Sequence, residues 1–400
     1  MFKEVSKVSI LNGGAQLISI FGFIVTSREY GLYNIGVLSI VNAFTMIIST
    51  ASCGYFEQIF LLEKRRNIQN LIMPLILYFN TGLLILSGLV LIVFNTNYVI
   101  FILLNIFSNS ILKITSTLSI VENKIVQFSL VKFINAPIIP ITAYIFQFFF
   151  LPKEISLILI YCGCNLLFSF ILIVIYRRYF YHLKFYRHTK GIKKLFFRYI
   201  NFIKYNLSGE VIRSIAFRAP TIVISAFFNK EIAGLYSIAN QIIITPITVI
   251  GGAISQAFTK STIQNNLGTT LGTIKKLIKT LSILSFFGML GVLLSVEHLV
   301  QLLLGPEYSE LPTFLKLILP YGVSLFISTP FLILFTLYEN QKHIFHLKVF
   351  ILLCSLFSFS IGVSLNNIKL GLGLFYYSTA FVYLFYLYRA INLKTFKSNA

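Results

Sequence analysis

Aspartate and tryptophan are absent from all 400 residues, and glutamate occurs only twelve times against 33 lysines and arginines. Chemistry that needs paired carboxylates or acidic metal ligands in an outer loop has almost nothing to draw on, which counts against glycosyl-transfer enzymes. Cysteine is scarce as well. Cys53, Cys162, Cys164 and Cys354 all lie in or beside apolar runs, and Cys162-Gly-Cys164 lacks a zinc spacing. His182, His188, His298, His343 and His346 form no metal pattern, so neither a metal nor a cofactor is expected. Charge of both signs is short, at 11% of residues. A soluble domain of this size cannot cover itself with so little.

What is present is hydrocarbon: 57% of residues are hydrophobic and 16% aromatic, with a mean hydropathy of +0.84. Apolar stretches near the length that crosses a bilayer recur from end to end. Twelve segments are expected, at roughly 8–26, 33–56, 71–94, 98–120, 133–151, 155–176, 206–228, 235–258, 277–296, 313–338, 349–365 and 372–390. The first ends in "FIVTSREYG" with no small-x-small cleavage site and is expected to be retained.

The net charge of +21 would point to nucleic acid in a soluble protein, but its distribution points elsewhere. The N-terminus, the even-numbered loops and the C-terminal end, Arg389 included, hold 24 of the Lys and Arg. Odd-numbered loops hold Arg28, Lys153, Lys230 and Lys369, and segments hold Lys113, Arg213, Arg218, Lys279 and Lys316. This asymmetry predicts cytoplasmic termini and explains the basic residues without a nucleic-acid partner. The stretch 177–204 carries nine Lys or Arg and no acid, and reads as an amphipathic linker on anionic headgroups. It separates an N-terminal lobe, 1–178, from a C-terminal lobe, 205–400, with 179–204 as the connector. Six segments in each half make a parallel repeat. "EYGLYNI" at 29–35 and "EIAGLYSIANQ" at 231–241 support it, each placing Gly-Leu-Tyr before a long apolar run.

Polar side chains inside the segments are the candidate site. In the first, Asn12, Gln16, Ser19 and Thr26 share a face; in the second, Ser39, Asn42, Thr45, Ser49 and Ser52 do. The eighth carries Gln241, Thr245, Thr248, Gly252, Ser255 and Gln256 on one arc. Such residues serve helix packing in lipid, or together line a hydrated cavity. In the seventh segment, Glu210 and Arg213 are spaced to pair, and Arg218 lies near the midplane, where a charge needs water or a partner. Lys113 is a further intramembrane cation, and Glu57 is either an interfacial charge or a gate.

The stretch 221–262 resembles the central motif of Wzx-type polysaccharide flippases through Glu231, Gly234, Leu235, Tyr236, Ala239, Pro246 and Gln256. "LVQLLLGPEYSE" at 299–310, with Tyr308, resembles that family's outer loop, and "SREYGLYNIGVLSI" at 27–40 its first-half counterpart. The resemblance implies an all-α membrane protein of about twelve helices, in two six-helix lobes around a central cavity, as in multidrug exporters and lipid II flippases. It implies a bacterial inner-membrane carrier of an undecaprenyl-diphosphate-linked oligosaccharide, an O-antigen or capsule repeat unit. Its partners would be that lipid-linked substrate and membrane lipids, with the polysaccharide polymerase and chain-length proteins as further candidates. Arg218, Arg213, Glu210, Lys113, Asn12, Gln16, Asn42 and Gln241 are the expected cavity residues. A multidrug exporter of the same fold and a membrane-embedded polymerase or glycosyltransferase are the alternatives.

Overall fold

In lipid every backbone amide must bond within the protein, so long apolar runs fold as helices. The computed structural model describes residues 2–62, 66–93, 98–122, 124–148, 153–181, 189–264, 267–337 and 341–397, and none of these is in a strand. The helices are α1 (Phe2–Ser52), α2 (Ile59–Leu62), α3 (Arg66–Val93), α4 (Val99–Val121), α5 (Ile125–Asn135), α6 (Ile138–Phe146) and α7 (Lys153–Ile175). They continue with α8 (Arg177–Tyr181), α9 (Thr189–Phe227), α10 (Lys230–Gln264), α11 (Leu267–Leu303), α12 (Leu311–Leu337), α13 (Gln341–Ser364) and α14 (Ile368–Lys397).

Ten of these stretches are long and apolar enough to cross a membrane. The first, Ile10–Ser52, covers most of the first two expected segments, because helical hydrogen bonding resumes directly after a break at Gly31 (φ 80°, ψ 164°), and the second ends at Ser52, short of the expected 56. The expected fifth segment begins earlier, at Ile125, and is broken at Ala136-Pro137, where proline removes a backbone donor. Of the expected linker 179–204, residues 179–181 and 189–204 are helical, and 182–188 lie outside the described residues. The basic run from Thr189 continues without interruption into the seventh segment as the 39-residue α9.

Contacts group the chain into two compact units, one of 1–15 and 37–218, the other of 16–36 and 219–400. In unit one, Phe56, Phe60, Ile72, Ile76, Ile114, Leu118 and Leu172 form a buried core. A polar seam joins α4 to α7: Asn165 Nδ2 donates to Asn105 Oδ1 at 3.0 Å, and Ser169 Oγ donates to the Ser108 carbonyl at 3.2 Å. In unit two, α12 is the most buried crossing and packs against α10 and α14. The buried phenols of Tyr236 and Tyr376 share a hydrogen bond of 2.7 Å there.

The two Gly-Leu-Tyr copies meet inside unit two. A Cβ on Gly36 would lie 1.8 Å from the Lys230 carbonyl oxygen, and one on Gly234 would lie 2.4 Å from that of Leu32. Lys230 also caps the Tyr33 ring at 4.9 Å and donates to its hydroxyl at 3.0 Å. Tyr308 is buried beside the first arm of α1 and donates to the Ser27 carbonyl at 2.5 Å. Burial pushes its phenol up to about 12, so it stays a donor at physiological pH.

Candidate functional site

Much of the polar stripe on the second arm of α1 is packing. Ser39, Thr45, Ser49 and Ser52 are buried, and Ser49 and Ser52 return their hydroxyls to the carbonyls of Met46 and Ser49. Thr26 on the first arm does the same to Gly22. Such back-bonding satisfies a hydroxyl without calling on water. Asn12, Gln16, Asn42 and Gln241 are half-buried.

The charges assemble more selectively. Beyond Ser52 the chain turns through Gly54 and Tyr55, both left-handed, into a short 3-10 turn that carries Glu57 inward. Glu57 is 5% exposed, and its Oε2 has no hydrogen-bond partner among the described residues. Burial pushes this carboxyl above its usual range, against the pull of a backbone hydrogen bond and of Lys113. Lys113 approaches from α4 and donates to the Ser49 carbonyl at 2.5 Å. It lies within electrostatic reach of Glu57, Glu210 and Arg213.

α9 supplies the remaining charges. Arg213 forks onto Glu210 Oε2, with Nε and a terminal nitrogen each 2.8 Å away. Ser214, beside this pair, donates to the Met46 carbonyl at 3.2 Å and ties α9 to the second arm of α1. Arg218 lies half-buried 1.4 turns further along, the last residue of unit one. Unit one therefore holds Asn12, Asn42, Lys113, Glu210, Arg213 and Arg218, while Gln16 and Gln241 belong to unit two. Tyr55 completes the cluster, within reach of Glu57, Glu210 and Arg213. Its signal in the sequence was the helix-breaking "SCGYFEQ", a turn holding an acid at the end of a polar stripe.

This arrangement can bind an anion. Lys113 and Arg213 face two carboxylates, and one of these, Glu57, is buried with its carboxyl pushed above its usual range. Guanidinium groups present paired donors that match phosphate oxygens. No His, Cys, Asp and Glu grouping among the described residues could hold a metal ion.

Residues 24–312 match a family model described as polysaccharide biosynthesis protein. No curated protein matches the sequence. Among solved structures, a lipid II flippase MurJ in an inward closed conformation is similar with a TM-score of 0.74 at 13% identity, over 98% of this chain and 87% of that one. A multidrug resistance MATE family transporter of the MOP superfamily, facing inward, gives 0.63 at 12% identity over 98% and 96% of the two chains. A MOP superfamily transporter from Pyrococcus furiosus, described by the reverse polarity of its binding pocket, gives 0.59 at 13% over 99% and 95%. At such identities the likeness is one of fold, and the fold is that of a multi-pass, all-helical membrane protein.

Proposed function

Because the chain belongs to the polysaccharide biosynthesis protein family, we propose that it is a flippase for an undecaprenyl-diphosphate-linked oligosaccharide, such as an O-antigen or capsule repeat unit. It would work in the bacterial inner membrane, with both termini cytoplasmic and polysaccharide polymerase and chain-length proteins as its partners. Twelve crossings are part of the proposal: the ten apolar helices, a second passage within α1 after Gly31, and α9. So is the division into lobes 1–178 and 205–400, with linker 179–204 between them.

What supports the reading is the charge of unit one, where Lys113 and Arg213 meet Glu57 and Glu210 and a third cation, the half-buried Arg218, lies further along α9. A diphosphate headgroup is anionic and would prefer this cluster to bare hydrocarbon. Half-buried amides at Asn12, Gln16, Asn42 and Gln241 suit sugar hydroxyls. Cationic drugs would favour the opposite balance, which weighs against an exporter of such compounds. Alternating access avoids passage of the headgroup through lipid.

The test is reconstitution of the purified protein with a fluorescent undecaprenyl-diphosphate glycan, with flipping and glycan length both followed. Protein-dependent translocation at constant length is expected. Growth of the glycan without translocation would make the protein a polymerase.

A further inference from the structure

Lys132 falls one residue short of the expected fifth segment, 133–151, yet the structure carries it inside that crossing, Ile125–Phe146. A charge there is costly unless it meets water or a partner. Its ammonium makes no hydrogen bond or ion pair among the described residues. The turn of the helix shows what it faces instead. At about 100° per residue, Gln127, Leu130 and Ile134 group on one side of α5, and all three are exposed, which makes this the lipid face. Lys132 points about 170° away from it, flanked by the buried Ser129 and Ala136. Lys132 is nonetheless exposed. Asn135, on its other flank, is half-buried, and its amide has no partner among the described residues either. An exposed lysine on the side turned away from lipid borders open space, not hydrocarbon. Snorkelling along the lipid face is closed to a side chain that starts from the opposite one.

This position shares a depth with the charge cluster but is separate from it. Lys113 lies eight residues before the end of α4 and Lys132 seven after the start of α5, on the two arms of a hairpin. Both are therefore about 10–12 Å from the turn that joins them. The groups that act electrostatically on Lys113 are Cys53, Glu57, Glu210 and Arg213, and Lys132 is not among them. A lone ammonium beside a free amide suits an oxygen anion, one supplying charge and the other a second donor. A diphosphate held at Lys113 and Arg213 leaves this second position for an acid elsewhere on the same head. We propose that Lys132 and Asn135 bind an acidic group of the glycan, a carboxylate or a phosphate ester, so that the substrate is an acidic oligosaccharide. The proposal rests on the flippase reading for the lipid to which that glycan is linked.

The test reconstitutes equal amounts of full-length wild-type and variant protein with two undecaprenyl-diphosphate glycans of one length, one neutral and one carrying a uronic acid. In Lys132→Gln the concentration for half-maximal flipping of the acidic glycan should rise about tenfold, the scale of one hydrogen bond to a charged group. Lys132→Arg should restore most of it, and the neutral glycan should be unaffected by either change. Equal loss on both glycans, no loss on either, or a wild type that flips only the neutral one would overturn the proposal. Placement is checked separately in a chain carrying Cys354→Ser. A membrane-impermeant methanethiosulfonate should label Lys132→Cys and spare Leu130→Cys on the lipid face. An unlabelled Lys132→Cys would also overturn the proposal. Wild-type vesicles that flip neither glycan would overturn the flippase reading instead, and the labelling would still decide whether position 132 faces water.

Discussion

The glycines of the two Gly-Leu-Tyr copies do different work. Gly31 adopts φ 80° with open space around its Cα, so a side chain there meets strain but no neighbour. Gly234 is helical, and any Cβ would collide with the Leu32 backbone. At φ 80° and ψ 164° Gly31 occupies a region that essentially only glycine enters, so Gly31→Asn and Gly31→Val should both lower Tm. Gly234→Ala and Gly36→Ala should both lower Tm and membrane yield, because a backbone oxygen cannot swing aside. Gly163→Ala, with nothing within 4 Å, is the control. Thermal melts in detergent check the set, and equal tolerance of alanine at Gly36, Gly163 and Gly234 would refute the close packing. Glu57 gives a second prediction at this scale. Its folded-state pKa is raised above 4.5 by burial, so its stabilising neutral form is fully present below 4.5 and is lost as pH rises through the folded value. Wild-type Tm should rise as pH falls from 7 toward 5, and Glu57→Gln should flatten that part of the profile. A rise of equal size in Glu57→Gln would place its origin elsewhere.

Among the elements, α9 carries the mechanistic bet. The segment 206–228 was legible as a helix, and its i, i+3 spacing of Glu210 and Arg213 foretold the ion pair now seen. Its unbroken continuation back to Thr189 was not legible, because a basic amphipathic stretch reads as a separate linker on the headgroups rather than as the start of a crossing helix. The hydroxyl stripes were visible in periodicity, but periodicity cannot distinguish a wall facing water from one bonded to its own backbone, as Thr26 and Ser52 are. Nor could spacing bring Glu57 toward Lys113, since that depends on a left-handed turn at Gly54 and Tyr55. In the proposed mechanism, Arg218→Ala abolishes glycan export in complementation while the protein still accumulates. Arg218→Lys retains part, keeping the charge without the planar fork. Lys113→Met reduces export as well. Arg213→Ala is milder, and Glu210→Gln milder still. Because Arg213 is 50% exposed, breaking the pair alters stability by about 0–1 kcal/mol, so lost export with normal protein levels reports function. Normal export by Arg218→Ala would remove its headgroup role.

At the scale of the whole molecule, α9 is also the crossing on which topology turns. It is absent from the ten helices apolar enough to span, because Glu210, Arg213 and Arg218 interrupt its hydropathy. Yet at about 58 Å it is nearly twice as long as the hydrocarbon core is thick, so its apolar end can cross while its basic beginning stays in the interface. Between Lys190 and Glu307 the chain runs through α9, α10 and α11. If all three cross, the two positions lie on opposite sides of the membrane; if α9 lies along the surface, they lie on the same side. The 24-to-4 distribution of Lys and Arg predicts that Lys190 is cytoplasmic. A reporter fused after Lys190 should therefore be active only as a cytoplasmic marker, and one inserted at Glu307 only as an extracytoplasmic marker. Finding both on one side would remove α9 from the membrane, make the number of crossings after the linker odd with respect to the first half, and end the parallel repeat. It would also take Arg218 out of the bilayer, and with it the reason for assigning that side chain to a buried anion.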